Sequence, residues 1–249
     1  QKSYKTITQQ GEDMASKSGP DIIEDGLVLC LDAASARSFT SGDSDWKDLS
    51  KSGLTGTLVN GPTFDENNGG GLIFDGTNDY IQMPTTDKLN MAQYGSFSVS
   101  MYCKSNHTSS SGWNIYWAGV SKYNQFILGP NGVDGKMAFI VHAGDWRPTN
   151  YGNDIWGQSN VDPRQYHLYT GTYNGDTNVV SLYVDDSLEY SSAIGSYSLS
   201  SHTAAFEIGK RDISNNFLNA NINIVSIYNR ALSAHEIRRN YLSTKERFA

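Results

Sequence analysis

From Gly26 onward the chain alternates short apolar runs with turn residues, and no helical stripe appears until its end. Leu27-Val28-Leu29-Cys30-Leu31 is a continuous apolar run, the pattern of a strand covered on both faces. Ser96-Phe97-Ser98-Val99-Ser100-Met101-Tyr102-Cys103 alternates strictly, with Phe97, Val99, Met101 and Cys103 on one side and mainly hydroxyl side chains on the other. That spacing predicts a half-buried strand. Residues 137–141, 166–173, 179–184 and 206–209 continue the series. Asn60-Gly61-Pro62, Asn67-Asn68-Gly69-Gly70-Gly71, Tyr173-Asn174-Gly175-Asp176 and Val184-Asp185-Asp186-Ser187 supply the turn chemistry between runs. The pattern predicts an all-β domain. No repeat of about 20–50 residues is present, which excludes propellers and solenoids.

One helix is predicted, of about 10–12 residues near the C-terminus. Ser233 is a good N-cap and Glu236, three residues on, completes a capping box; Leu232 and Ile237 are placed as a hydrophobic staple. Ile237, Tyr241 and Leu242 form the expected apolar stripe, with Arg238, Arg239 and Asn240 turned out. Residues 1–20 have no periodicity and mixed charge, and are expected to be an arm or linker ahead of a domain spanning 21–249. So polar an arm would be ordered only if something holds it, and a neighbouring subunit is one candidate. Gln1 is not an initiator, so the chain is expected to be processed or part of something longer.

Composition narrows the partners. Charged residues make up only 18% of the chain, so its surface relies on neutral polar groups, and 24 Gly and 15 Tyr suit short strands with many turns. A formal charge of −7 without a basic stripe argues against nucleic acid. No apolar run reaches the roughly 18 residues of a membrane helix, and no secretory signal is visible. Cys30 and Cys103 both fall in strand-like runs; two buried free thiols are the more economical expectation, with a disulfide the alternative.

Several segments, in order, resemble laminin-G-like domains of the concanavalin A-like lectin and glucanase superfamily. They are Leu27-Val28-Leu29-Cys30-Leu31-Asp32-Ala33-Ala34, Trp46-Lys47-Asp48-Leu49-Ser50 with Gly56-Thr57-Leu58, and Phe74-Asp75-Gly76-Thr77-Asn78-Asp79-Tyr80-Ile81. Thr170-Gly171-Thr172-Tyr173-Asn174-Gly175, Leu182-Tyr183-Val184-Asp185 and Ile227-Tyr228-Asn229-Arg230-Ala231-Leu232-Ser233 complete the set. The resemblance implies a jelly-roll sandwich of two antiparallel sheets with a short C-terminal helix. The opening and the ending also resemble virion-associated members from tailed phages. That second likeness implies a non-catalytic capsid decoration or tail- and fibre-associated protein, assembled in a host cytoplasm and displayed on the virion surface. Its partners would be other virion proteins, further copies of itself, and cell-surface glycans. The alternative is a secreted or surface lectin module of a longer polypeptide, and a weaker one is a glycoside hydrolase.

Catalytic signals are sparse. The superfamily's hydrolases carry two carboxylates on one strand face, spelled E-x-D-x-x-E or E-x-D-x-E, and no such string occurs here. The 5 His are scattered without metal-ligand spacing, and neither a nucleophile elbow nor a phosphate loop is present. Calcium is the one cofactor the resemblance raises. Asp75, Asn78 and Asp79 offer the hard oxygen ligands it takes, while the competing reading is a turn that hydrogen-bonds its own backbone. Binding is expected in residues 106–160, where Trp and Tyr are interleaved with Gly, Ser, Asn and Asp. Sugars present apolar C–H faces and hydroxyl edges, which Trp146, Tyr151, Asn153 and Trp156 suit. The same rings would serve equally for packing. Trp46, Trp113 and Trp117 are assigned to the core.

Overall fold

The computed structural model describes residues 21–106, 119–123, 125–130, 135–142, 157–194, 199, 201, 203–211 and 216–248. Its strands, in chain order, begin with β1 (Leu27–Asp32), β2 (Asp45–Lys47), β3 (Thr55–Val59), β4 (Thr63–Asp65), β5 (Gly71–Asp75) and β6 (Tyr80–Gln82). The series continues with β7 (Phe97–Ser105), β8 (Val120–Lys122), β9 (Phe126–Pro130), β10 (Met137–Val141) and β11 (Gly157–Gln158). It closes with β12 (His167–Asn174), β13 (Val179–Val184), β14 (Ser187–Ala193), β15 (Phe206–Ile208), β16 (Asn219–Tyr228) and the helix α1 (Ala234–Thr244).

Among the described residues, two eight-stranded sheets stack face to face. The first runs β14-β13-β12-β7-β16-β5-β4, with β1 also paired to β16; the second runs β11-β10-β9-β8-β15-β6-β3-β2. Neighbours are antiparallel throughout, and the strands are far apart in sequence: β16 lies between β7 and β5, and β15 between β8 and β6. This is the two-sheet jelly roll. The apolar sides of β1, β5, β7, β12 and β16 meet those of β6, β8, β9, β10 and β15 in one core, which includes Leu29, Phe74, Phe97, Phe126, Phe139 and Phe206. Trp46 is fully buried in it, while Trp113 and Trp117 lie outside the described residues.

The segments that carry the resemblance do structural work. Asp48 accepts the backbone N–H groups of Cys30, Ser50 and Leu54, tying the loop after β2 to β1. Arg230 forks onto Glu236, whose carboxylate also takes the Ser233 N–H in the capping box of α1. Arg247 makes a two-pronged pair with the fully buried Asp32, so the C-terminal turn is locked onto β1.

Two sequence expectations need correction. β7 is buried on both faces rather than half-buried. Ser98 Oγ donates to Arg230 O and accepts from Leu232 N–H, and Ser100 pairs with Thr170, so a covered face is kept polar but satisfied. In α1, Ile237 is buried and Arg238 and Arg239 are exposed as expected, but Asn240 is buried and Leu242 exposed, the opposite of the expectation at those two positions. Ile237, Asn240 and Thr244 follow the i, i+3, i+7 spacing of the covered face, and Asn240 is satisfied there by Tyr228 Oη and the Ile23 N–H. Cys30 and Cys103 are free, buried thiols.

Candidate functional site

The four aromatic and amide candidates Trp146, Tyr151, Asn153 and Trp156 lie outside the described residues, as does the arm of residues 1–20. The three calcium candidates lie in the tight turn between β5 and β6, closed by Gly76 at φ 77°. Asp75 Oδ1 accepts the N–H groups of Thr77 (2.7 Å) and Asn78 (3.3 Å), and Asp79 Oδ2 accepts the Asp75 N–H (3.1 Å). The carbonyl of Asn78 takes Asn60 Nδ2 at 2.8 Å. These bonds hold the Asp75 carboxyl below its ordinary value, with the Thr77 N–H the largest cause, whereas burial raises that of Asp79. An oxygen of each candidate is thus engaged, those of Asp75 and Asp79 within the turn and that of Asn78 by Asn60. Among the described residues no three His, Cys, Asp or Glu side chains gather where they could hold a metal ion. The turn's hydrogen bonds account for the positions of the Asp75 and Asp79 carboxylates.

What the turn does is deliver Tyr80. Ile81 points into the core, so Tyr80 and Gln82 stand on the outer face of the second sheet, half-buried and exposed respectively. Strand register then builds a row across five strands: Asp45 opposite Thr57, Thr57 opposite Gln82, Gln82 opposite Glu207, and Glu207 opposite Ser121. The row continues into buried Ile127 and Ile140, so one half is polar and the other apolar.

Glu207 is the unusual member. It is only 5% exposed, and its Oε1 takes Lys210 Nζ at 3.1 Å while its Oε2 is buried with no hydrogen-bond partner among the described residues. An unmatched buried oxygen costs about 1–3 kcal/mol, which a native fold rarely leaves unrecovered. Lys210 Nζ also lies 4.6 Å from the centre of the Tyr80 ring, and Phe217 stands against that ring at 6.3 Å. Gly209, at φ 83°, brings the chain out of β15 against Phe74, where a Cβ would overlap the ring. A carboxylate, an amide, a hydroxyl and a half-exposed ring therefore share one face. Sequence reading missed Glu207, Gln82 and Tyr80 as a group; the only local signal was a Glu between two inward-facing apolar residues of a strand.

Among the described residues of the row, the two carboxylates, Asp45 and Glu207, are three strand spacings apart, about 14 Å. A glycosidase pair works at about 5–9.5 Å.

A family model described as the concanavalin A-like lectin/glucanases superfamily matches residues 75–238, about two thirds of the chain. No curated protein sequence matches. Among solved structures, the fold is similar to the binding domain of Paraclostridial Mosquitocidal Protein 1 at a TM-score of 0.67 and 15% identity, covering 88% of this chain and 52% of that one. It is similar to the binding domain of botulinum neurotoxin DC, in complex with rat synaptotagmin II, at 0.64 and 14%, covering 89% and 52%. It is also similar to domain 4 of AbnA, a GH43 extracellular arabinanase from Geobacillus stearothermophilus in complex with arabinotriose, at 0.62 and 15%, covering 88% and 100%. At these identities the likeness is one of fold. The chain spans about half the length of the toxin binding domains it matches, and the whole of the arabinanase domain.

Proposed function

We propose that this chain, which belongs to the concanavalin A-like lectin/glucanases superfamily, is a non-catalytic carbohydrate-binding module whose site is the outer face of the second sheet. The observation that carries the reading is the exposed Gln82 amide beside the half-exposed Tyr80–Phe217 ring pair, with the buried Glu207 holding Lys210 against the Tyr80 ring. Sugar hydroxyls would bond the amide, and a pyranose or furanose C–H face would lie on the ring. Domain 4 of the arabinanase, matched over its full length and holding arabinotriose, lends support by analogy of fold. The setting we infer is a virion surface. Its support is the resemblance of the chain ends alone, and recovery of the chain from purified particles rather than only from infected cells is its test.

A glycan array probed with and without a calcium chelator tests the site. Binding is expected to survive the chelator, to fall at least tenfold in Tyr80→Ala and Glu207→Gln, and to be unchanged in Trp146→Ala and Trp156→Ala. Loss in the two tryptophan variants instead would move the site to residues 146–156. Loss with the chelator would restore calcium at Asp75, Asn78 and Asp79. No binding to any glycan would overturn the reading.

A further inference from the structure

The strands that end the two sheets are unequal. β2 and β4 have 3 residues each and β11 has 2, too short to template a partner. The free side of β1 is taken by its own loop, through Cys30 N–H to Asp48 Oδ1 and Leu49 N–H to Cys30 O. β14 is different. It has 7 residues, pairs among the described residues with β13 alone, and contains no Lys, Arg or Pro. Its one charge, Glu189, sits at a bulge and is drawn back toward the second sheet by the Asn160 N–H at 3.1 Å. From Tyr190 to Ala193 the edge is neutral and its register unbroken.

The direction of each backbone group follows from one bond. Ile194 N–H donates to Asn178 O, so by alternation the groups of Ser192 and Tyr190 point to β13 while those of Ser191 and Ala193 point away. The side chains divide the other way: Tyr190 and Ile194 pack on the core, and Ser191 and Ala193 are exposed on the opposite face.

We propose that β14 pairs antiparallel with β14 of a second copy about a dyad through Ser192. In that register Ser191 faces Ala193 of the second copy, and their outward N–H and C=O groups exchange hydrogen bonds on both sides of the dyad. Tyr190 faces Ile194 of the second copy, extending the core from one sandwich to the next, and no like charges stand opposite within residues 190–194. This self-complementarity is what an isologous interface requires, and it favours a second copy over an unrelated strand.

Sedimentation velocity of the full chain over a wide concentration range tests the pairing. A concentration-dependent dimer is expected. Ala193→Pro removes an outward N–H and leaves the β13 ladder intact, so it should be monomeric with an unchanged far-UV spectrum. Ala193→Lys, which keeps the backbone, should also be monomeric and decides the matter if the proline variant misfolds. Ser192→Cys should form a disulfide-linked dimer under mild oxidation, because facing residues at the dyad have Cα atoms about 4.5 Å apart. Ser187→Cys should not. A wild type that is monomeric at every concentration, or a dimer that survives Ala193→Lys, overturns the proposal.

Discussion

At the scale of single residues, the buried polar groups decide what the fold tolerates. Asp48 satisfies three backbone donors on two different segments, so Asp48→Ala leaves N–H groups without partners. A loss of about 2–3 kcal/mol is expected, read as a lower urea midpoint at unchanged slope. Cys30 is pushed up to about 12, first by burial and then by the Asp32 and Asp48 carboxylates, and burial alone raises Cys103. Neither thiol should react with an aromatic disulfide reagent in the native protein, and both should react in denaturant. Trp46 was legible in the sequence as a core residue because its neighbours form a local string. Glu207 was not, since its meaning depends on Gln82 and Ser121, brought beside it from distant strands. A single carboxylate in a three-residue strand carries no sign of whether its second oxygen will find a partner.

At the scale of elements, the start of α1 was legible in full and its buried face only at Ile237. Ser233 and Glu236 form the expected capping box, a contact between near neighbours. The stripe that packs, Ile237, Asn240 and Thr244, is set by where the helix meets Tyr228 and Ile23, and polar residues can occupy it once they find partners. The cap also makes a pH prediction. The Arg230 guanidinium, followed by the Ser233 hydrogen bonds, lowers Glu236 from its ordinary 4.5 to about 2. A carboxyl depressed in the folded state stabilises it above the unfolded value, and that contribution is lost as the pH falls through the folded value. Between about pH 5 and pH 2 the wild type should therefore lose about 2 kcal/mol more than Glu236→Gln, after allowing for the partial exposure of the pair. Equal acid limbs in chemical denaturation would show that the ion pair contributes nothing to this window.

At the scale of the whole molecule, the proposed edge pairing and the proposed sugar-binding face make a joint prediction that neither makes alone. Facing residues of an antiparallel pair project to the same side of the sheet, so a dyad through Ser192 stands perpendicular to the joined first sheets. Both copies then carry their second sheet on the same side, and the two rows built around Gln82 and Glu207 look in one direction. A dimer of this kind meets a glycan-coated surface with both sites at once, and the second contact forms at a high effective concentration. A soluble oligosaccharide meets them one at a time. Ala193→Lys should therefore bind a free oligosaccharide as the wild type does in calorimetry, yet leave a glycan-dense surface faster, with apparent affinity there lower by up to roughly 10²–10⁴-fold. Tyr80→Ala should weaken both measurements together. Equal retention of wild type and Ala193→Lys on the dense surface, with the wild type dimeric, would mean that the two faces do not engage one surface at the same time.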